Sequence, residues 1–258
     1  DARLDQRFKL LTGGSRTALP RQQTLRALID WSYGLLDESE RRLLARLSVF
    51  AGGWDLAGAE NVCAGDPIED WQVLDVLTSL CDKSLVMAEP SGGEVRYRLL
   101  ETVRAYGRER LADSGEEDSW RDRHADHYLG LAKEAGAHLL GRNQTAWVAR
   151  LNSQRDNLRA AFERLASLPG RQSDYVEAVT SMGRYWQLSA QFREGRAWLE
   201  PALQLAESGS EPLAKALNMI GVLCIWQGEA LEARALFAEA LEIRRGLNDL
   251  RGVANGLS

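Results

Sequence analysis

Residues 21–56 constrain the fold of this chain more than any other segment. They predict two short amphipathic helices that are joined by an acidic cap and end at a Gly-Gly turn. The first helix is expected to begin at Thr24, which is a suitable N-cap residue. Its apolar residues recur at helical spacing and would share one face: they are Leu25, Leu28, Ile29, Leu35 and Leu36. The segment therefore predicts that this face is packed against the rest of the domain.

The second helix carries stronger local signals at both of its ends. Asp37 precedes it, and Glu40 follows three residues later, which is the spacing of a capping box. The buried stripe is expected at Leu43, Leu44, Leu47 and Phe50, and Gly52-Gly53 would end the helix.

The following residues predict a hairpin between helices. Asp55 begins a third helix, and a fourth spans about 69–82. The periodicity then changes from 3.6 to 2, so that residues 84–90 and 94–100 are expected to be strands around a Ser-Gly-Gly turn at 91–93. A closing helix follows. This order of elements predicts a winged-helix-type domain at 24–112, preceded by a leading segment at 1–23.

The second half predicts helices alone. Helices are expected at 120–140 and 144–167, within a helical linker region at 119–168. Repeats then follow at 173–258, with a third copy starting at the end of the chain. Two copies match at a spacing of 38 residues: Gly183, Gly195, Leu199 and Ala202 in the first, and Gly221, Ala233, Phe237 and Ala240 in the second.

These spacings are those of the tetratricopeptide pattern, in which small residues let the two helices of a hairpin cross closely. The first copy departs from the pattern, since it has Ala190 where the second has Gly228. The predicted fold class is therefore mainly α, a winged-helix-type domain with one β-hairpin followed by a truncated α-helical, tetratricopeptide-like array. An array that stops inside a repeat is expected to be part of a longer protein.

Composition places the chain among soluble globular proteins. Hydrophobic residues make up 45% and charged residues 27%, and no apolar run approaches the length of a membrane span. No signal peptide is visible, so a cytoplasmic location is expected, with Cys63, Cys81 and Cys224 as buried, reduced thiols. The net charge of −5 argues against nucleic-acid or membrane binding by the surface as a whole.

The chain carries none of the common catalytic motifs. It lacks GxxxxGK[ST], GxSxG and HExxH, so we expect no enzyme activity and no catalytic residue or cofactor in this segment. His124 and His127 would share one helix face and could hold a metal ion, but no third ligand follows at a suitable spacing. A solvated helix face is the alternative that we favour, and no metal site is predicted.

The eight tryptophans could bind a ligand or pack in the core. Trp31, Trp71, Trp147 and Trp198 lie within helical patterns, so packing roles are expected for them. Trp186 and Trp226 lie near the ends of the first helices of their repeats, whose faces commonly line a concave groove. They are the candidate contacts for a ligand or partner, with helix packing as the alternative.

A winged-helix prediction raises the question of DNA binding, which charge can test. The helix before the wing would enter the major groove and should carry basic or amide side chains. Here it carries Glu69, Asp70, Asp75 and Asp82, against Lys83 alone. The candidate backbone contacts are Arg96 and Arg98 in the wing and Arg104 and Arg108 in the next helix. These last two alternate with glutamates, so ion pairs within a solvated helix are the alternative, and direct DNA binding is not favoured.

Two blocks of the sequence, RFKLLTGGSRTALPRQQTLRALIDWSYGLLDESERRLLARLSVFAGGWDL and YRLLETVRAYGRERL, resemble bacterial STAND-type (NB-ARC-like) ATPase regulators, including LuxR-type transcriptional activators. RHADHYLGLA and LNSQRDNLRAAF resemble the segments that follow in these proteins. The resemblance implies an ATPase core upstream, with ATP or ADP and magnesium in the parent protein. Residues 1–23 would then be the end of the helical lid of that core.

The same resemblance implies how the parts would act. The winged helix would belong to an internal switch and would dock on the protein's own ATPase domain. The repeats would receive a peptide, protein or small-molecule inducer, and opening would permit oligomerisation. Where many relatives have a Met-His-Asp motif, this chain has Leu99-Leu100-Glu101, so no ADP ligand is assigned.

Two hypotheses follow from the sequence. The first is a non-catalytic regulatory and sensor fragment of such a regulator, with the winged helix in intramolecular switching. The second is a DNA-binding winged helix with a repeat-based interaction arm.

Overall fold

The computed structural model describes residues 20–91 and 94–249, without the side chains of 20–24, 91 and 94. The predicted leading segment at 1–23 lies mostly outside these residues, as do Gly92 and Gly93 of the turn and the third repeat from 250 onward. The described chain forms two compact units. The first runs to Val49 and continues over Asp55–Glu117, and the second comprises Phe50–Trp54 and the residues from Asp118 onward.

The first unit has the predicted order of helices and hairpin. Its helices are α1 (Pro20–Gly34), α2 (Glu38–Leu47), α3 (Leu56–Cys63), α4 (Val73–Asp82) and α5 (Glu101–Asp113), with a 3-10 turn at Asp70–Gln72 before α4. Strands β1 (Met87–Ser91) and β2 (Glu94–Arg98) lie between α4 and α5. They pair antiparallel, with Met87 opposite Arg98 and Glu89 opposite Arg96. This is the winged-helix arrangement expected from the sequence.

The start of α2 confirms the predicted capping box. The backbone N–H of Glu40 donates to the Asp37 carboxylate at 2.9 Å, and the backbone N–H of Asp37 donates to the Glu40 carboxylate at 2.8 Å. Two donors at the helix start are thereby satisfied. The predicted stripe is also confirmed, since Leu43, Leu44 and Leu47 are fully buried. Helix α2 is therefore the centre of the first core.

Helix α1 differs from its prediction in two ways. It begins at Pro20, so Thr24 lies inside the helix and is not its N-cap. Only Ile29 and Leu36 of the predicted face are buried. The exposed large apolar residues are Leu25, Leu28 and Trp31 in α1 and Leu35 just after it. Helical periodicity identifies an apolar face, but it does not indicate whether another element covers that face.

From Glu117 onward, the described residues form helices joined by short turns. The helices are α6 (Glu117–His138), α7 (Gln144–Ser153), α8 (Arg155–Ser167), α9 (Gln172–Ser181), α10 (Gly183–Leu188), α11 (Phe192–Leu205), α12 (Glu211–Gln227) and α13 (Ala230–Gly246). The prediction of a single helix at 144–167 is wrong, because Gln154 interrupts it and separates α7 from α8. The Gln154 side chain is buried and hydrogen-bonded to Tyr128 and Asn157, which favours the break.

Helices α10 to α13 pack as closely as their small residues permit. A Cβ atom on Gly183 would lie 2.5 Å from the Met219 side chain, and one on Gly221 would lie 2.6 Å from the Phe237 ring. A Cβ on Gly195 would lie 2.8 Å from Trp186. Such distances are far inside van der Waals contact, so the steric reason given for these positions is confirmed.

Ala190 and Gly228, which occupy equivalent positions in the two predicted repeats, follow their helices in the same way. Both have positive φ angles, 55° at Ala190 and 83° at Gly228. The next backbone N–H in each case closes the helix: Gln191 donates to the Trp186 carbonyl and Glu229 to the Cys224 carbonyl, both at 2.9 Å. These are Schellman-type ends, which normally require glycine at this position.

Candidate interaction surfaces

The exposed face of α4 is apolar and acidic. Val73, Leu77 and Leu80 are buried and orient the helix, which leaves Leu74 exposed, contrary to its predicted place in the core. The exposed residues of α4 and the turn before it include Trp71, Leu74, Asp75, Thr78 and Asp82, and Trp71 is 70% exposed. We call these five residues the α4 face. It carries no basic side chain, although this helix would enter the major groove of DNA in a DNA-reading domain.

Lys83, the one cation near the end of α4, is held by a buried carboxylate. Its ammonium group contacts Glu40, and the Ser79 hydroxyl donates to the same carboxylate oxygen at 2.6 Å. Burial alone would raise the pKa of Glu40, but the hydrogen bonds from Lys83, Ser79 and the Asp37 backbone outweigh it and lower that pKa. The capping residue of α2 thus also anchors the end of α4, which sequence spacing did not predict.

The candidate arginines of the wing lie on β2 beside a glutamate. Arg98 forms an ion pair with Glu89 of β1 at 2.8 Å, and Arg96 lies opposite Glu89 in the strand register. Arg96 is half-buried and also has an interaction partner. A DNA phosphate would therefore compete with Glu89 for the Arg98 guanidinium.

The candidate arginines of α5 are also paired. Arg104 forms an ion pair with Glu101 of the same helix at 2.9 Å, which is the kind of pair predicted for a solvated helix. Arg108 lies 4.0 Å from Glu117. Glu109, however, pairs outside its helix with Arg26 of α1 at 2.7 Å. The structure therefore brings Arg98, Arg104 and Arg108 each to a carboxylate of the first unit.

Several tryptophans occupy environments opposite to those expected. Trp186 is only 1% exposed, so the expectation that it lines a groove is corrected, and it packs edge-on against Phe162 at 6.4 Å. Trp31 and Trp71 were expected to pack but are exposed. Trp226 is 61% exposed and stacks on Phe192 with ring centroids 6.0 Å apart. A ligand contact in the repeats stays a prediction for Trp226 alone.

His124 lies in the core of the second unit, so the expectation of a solvated face is wrong for this residue. Its ring is 2% exposed, with Nε2 3.3 Å from the Asn157 side-chain oxygen. Burial lowers the pKa of His124 to about 4, and the hydrogen bond with Asn157 only partly offsets it. The ring is therefore neutral at physiological pH. His127 is half-buried and packs edge-on against Tyr128, which separates the roles of the two histidines.

Asn157 holds the glycine turn that follows α2. Its side-chain oxygen accepts from the Ala51 N–H at 2.8 Å, and its side-chain nitrogen donates to the Gly53 carbonyl at 3.0 Å. Phe50 and Trp54 on either side of the turn are fully buried and stacked at 5.0 Å. Sequence reasoning missed this contact, and the only signal was an asparagine within the apolar helical pattern of 144–167.

One group of described residues has ligand atoms close enough to hold a metal ion. Cys224, Glu229 and Glu232 place one ligand atom each within 4.8 Å of the others. The Arg196 guanidinium already pairs with both glutamates, at 2.9 Å from Glu232. Burial raises the pKa of Cys224 to about 11, so the sulfur is a thiol rather than the thiolate that metals bind. A metal ion would have to displace Arg196.

Within residues 20–91 and 94–249, no helix combines the length and apolar character that crossing a bilayer requires.

Comparison with known proteins identifies a domain family within the chain. Residues 36–112 match the winged helix-turn-helix domain, inside the range of 24–112 expected from the sequence. A protein of Mycobacterium tuberculosis named "Putative HTH-type transcriptional regulator" is 46% identical over 201 residues, which cover 78% of this chain and 22% of that protein. A protein of Mycobacterium bovis with the same description matches with the same identity and coverage.

A second kind of relative is shorter. An uncharacterized protein of M. tuberculosis is 45% identical over 127 residues, which cover 49% of this chain and 32% of that protein. The chain thus spans about a fifth to a third of the curated relatives it matches, and no solved structure matches it. Residues 36–112 of this chain are a winged helix-turn-helix domain.

Proposed function

We propose that this chain is the non-catalytic regulatory portion of a longer transcriptional regulator. The winged helix would take part in intramolecular switching, and the helical repeats would bind a ligand or a protein partner. The winged helix-turn-helix match and the name of the mycobacterial relative support a transcriptional regulator. The resemblance to STAND-type ATPases supports the finer proposal, in which an ATPase core with ATP or ADP and magnesium lies elsewhere in the longer protein.

The α4 face is the observation that carries this proposal. A recognition helix reads bases with arginine, lysine, asparagine or glutamine, and its surroundings must be attractive to phosphates. The α4 face instead offers Asp75 and Asp82, which would repel phosphates, and Trp71 and Leu74, which gain free energy when a partner covers them. Such a face suits a protein surface, and we propose that it docks on another domain of the same regulator.

The path of the chain between the two units supports a coupling role. The chain leaves the first unit after Val49 and returns to it at Asp55. The five residues between belong to the second unit, where Asn157 holds them. A change in the second unit that released this turn would reach α2 and α3 directly through the backbone. Oligomerisation through the repeats would be a later step of the same switch.

In the repeats, the α12–α13 hairpin supports a partner site. Trp226 and Ile225 near the end of α12 and Leu231 at the start of α13 are exposed. Exposed large apolar side chains close together in sequence commonly mark a binding surface. We propose that an inducer, either a peptide, a protein or a small molecule, contacts Trp226 here.

The second candidate function is direct DNA binding by the winged helix. The domain family favours it, as do Arg96, Arg98, Arg104 and Arg108 on the wing and the next helix. DNA binding would require these arginines to exchange their carboxylate partners for phosphates.

Fluorescence anisotropy with a labelled DNA duplex distinguishes intramolecular docking of the winged helix from direct DNA binding. We expect the chain to show only weak, nonspecific binding at 50 mM salt and none at 150 mM. The double variant Asp75→Lys, Asp82→Lys should bind more tightly at 50 mM salt, because it removes the repulsive charges of the α4 face. Sequence-dependent binding at 150 mM salt that the variant Arg98→Gln, Arg104→Gln weakens would instead support the second function.

A further inference from the structure

The first unit contains a pocket that neither function uses. It has a volume of about 140 Å³ and lies where the end of α1, the outer side of α2 and the end of α5 meet. Its walls are formed by Tyr33, Glu38, Arg41, Arg42, Ala45, Arg46, Arg110, Leu111, Ser114 and Glu116. A water molecule occupies about 30 Å³ in the liquid, so the pocket has room for a group of a few heavy atoms.

The lining of this pocket is rich in arginine. It includes four arginines and two glutamates, and Asp113 and Glu109 lie beside Arg110. Arg42 is neutralised by Glu38 at 2.8 Å. Arg41 instead donates to two backbone carbonyls, those of Tyr33 at 3.2 Å and Gly34 at 2.9 Å. Carbonyl groups carry no net charge, so the positive charge of Arg41 remains available to an anion.

Arg110 is a second arginine in the wall of the pocket. Its terminal nitrogen pairs with Asp113 at 3.0 Å, and its guanidinium lies 5.2 Å from the centre of the Tyr106 ring. An anionic oxygen is the acceptor that a guanidinium binds most strongly.

Tyr33 can add a neutral donor beside these charges. Its ring packs edge-on against Tyr106 at 5.2 Å, and Arg41 lies 5.6 Å from its centre. Burial raises the pKa of the Tyr33 phenol, and the charges of Arg110 and Arg41 only partly oppose this. The phenol therefore stays protonated at neutral pH and has a proton to donate.

We propose that this pocket binds the phosphate or carboxylate group of a small molecule, held by Arg41, Arg110 and Tyr33. The bound anion would neutralise the charge of Arg41 and accept hydrogen bonds from the guanidinium groups that line the pocket. Since the pocket joins the end of α1 to α2 and α5, occupancy would stabilise the winged-helix unit by mass action.

Isothermal titration calorimetry on the 258-residue chain tests the proposal, with chloride used to match ionic strength. The probes are inorganic phosphate, glycerol 2-phosphate and acetate. We expect saturable binding of at least one probe at a single site. Stronger binding of glycerol 2-phosphate would identify a phosphorylated small molecule, equal binding of both phosphates would identify free phosphate, and stronger binding of acetate would identify a carboxylate.

Three variants locate the binding. Arg110→Lys keeps the charge but removes the planar guanidinium, and Arg41→Gln removes the charge, so each should weaken binding by about 10-fold or more. Arg193→Gln, an exposed position on α11, should leave it unchanged within about twofold. Circular dichroism checks that each variant is folded. The proposal is overturned if no probe gives saturable binding, or if folded Arg110→Lys and Arg41→Gln bind as the unaltered chain does.

Discussion

Ala190 adopts the same left-handed backbone conformation as Gly228, its counterpart in the next repeat. A Cβ atom makes this conformation unfavourable by about 1–2 kcal/mol. Glycine loses more conformational entropy on folding, which offsets part of that difference. The repeat with alanine therefore holds backbone strain that the repeat with glycine does not.

Replacing Ala190 by glycine should accordingly stabilise the chain. We expect the free energy of unfolding to rise by about 0.5–1 kcal/mol, measured by urea denaturation. The reverse change at the equivalent position, Gly228→Ala, should lower it by a similar amount. If both variants shifted stability in the same direction, the strain assigned to Ala190 would be absent.

The close crossing of α12 and α13 gives a second prediction. Gly221→Ala would place a methyl group 2.6 Å from the Phe237 ring, and we expect a loss of about 1–3 kcal/mol in the free energy of unfolding. Gly130→Ala is the matched control, because nothing lies within 4 Å of a Cβ atom at this position in α6. That variant should be more stable by about 0.5–1 kcal/mol. Equal effects of the two would contradict the packing argument.

His124 should make stability depend on pH. In the unfolded chain the imidazole pKa is about 6.5, whereas burial in the fold lowers it to about 4. Between these values the unfolded state binds the extra proton, so the contribution is fully present above pH 6.5 and is lost as the pH falls toward 4. We expect a loss of about 2 kcal/mol between pH 7.5 and 5, measured by urea denaturation.

The variant His124→Gln isolates this contribution. It cannot take up the proton, so its stability should change less over the same pH range. An unchanged pH dependence in the variant would show that other groups cause it.

Asn157 should be the most sensitive polar residue of the second unit. Asn157→Ala leaves the Ala51 N–H and the Gly53 carbonyl without their partners, at about 1–3 kcal/mol for each group that stays buried. We expect a loss of about 2–4 kcal/mol in the free energy of unfolding, together with faster hydrogen exchange at the Ala51 amide. Asn61→Ala, on the exposed side of α3, should change stability by less than about 0.5 kcal/mol. Similar losses in both would argue against a special role for Asn157.

The features predicted correctly from the sequence are those that local spacing determines. The capping box of Asp37 and Glu40 involves residues three apart. The hairpin is marked by a change in the spacing of apolar residues, from the helical period of 3.6 to the strand period of 2. The start and the apolar stripe of α2 were equally predictable, because the capping box marks the first turn and the leucines recur at helical spacing. The end expected at Gly52-Gly53 was wrong, since α2 ends at Leu47.

The features that were missed depend on contacts distant in sequence. His124 is buried against Phe50 and Tyr128, and its hydrogen-bond partner Asn157 is 33 positions away. Trp186 and Trp226 occupy similar positions in their repeats, yet one is buried against Phe162 and the other is exposed. Periodicity assigns a side chain to a helix face, but burial depends on which other element reaches that face, and the pattern of a single helix contains no information on this.

Hydrogen exchange of α4 is the most direct test of the proposed switching role. The measurement compares peptides covering 70–82 in the 258-residue chain with the same peptides in the longer regulator, with ADP and with ATP. If the α4 face docks on another domain, these peptides should exchange more slowly in the longer protein, and the protection should differ between the two nucleotides. Equal exchange in all of these samples would contradict the account.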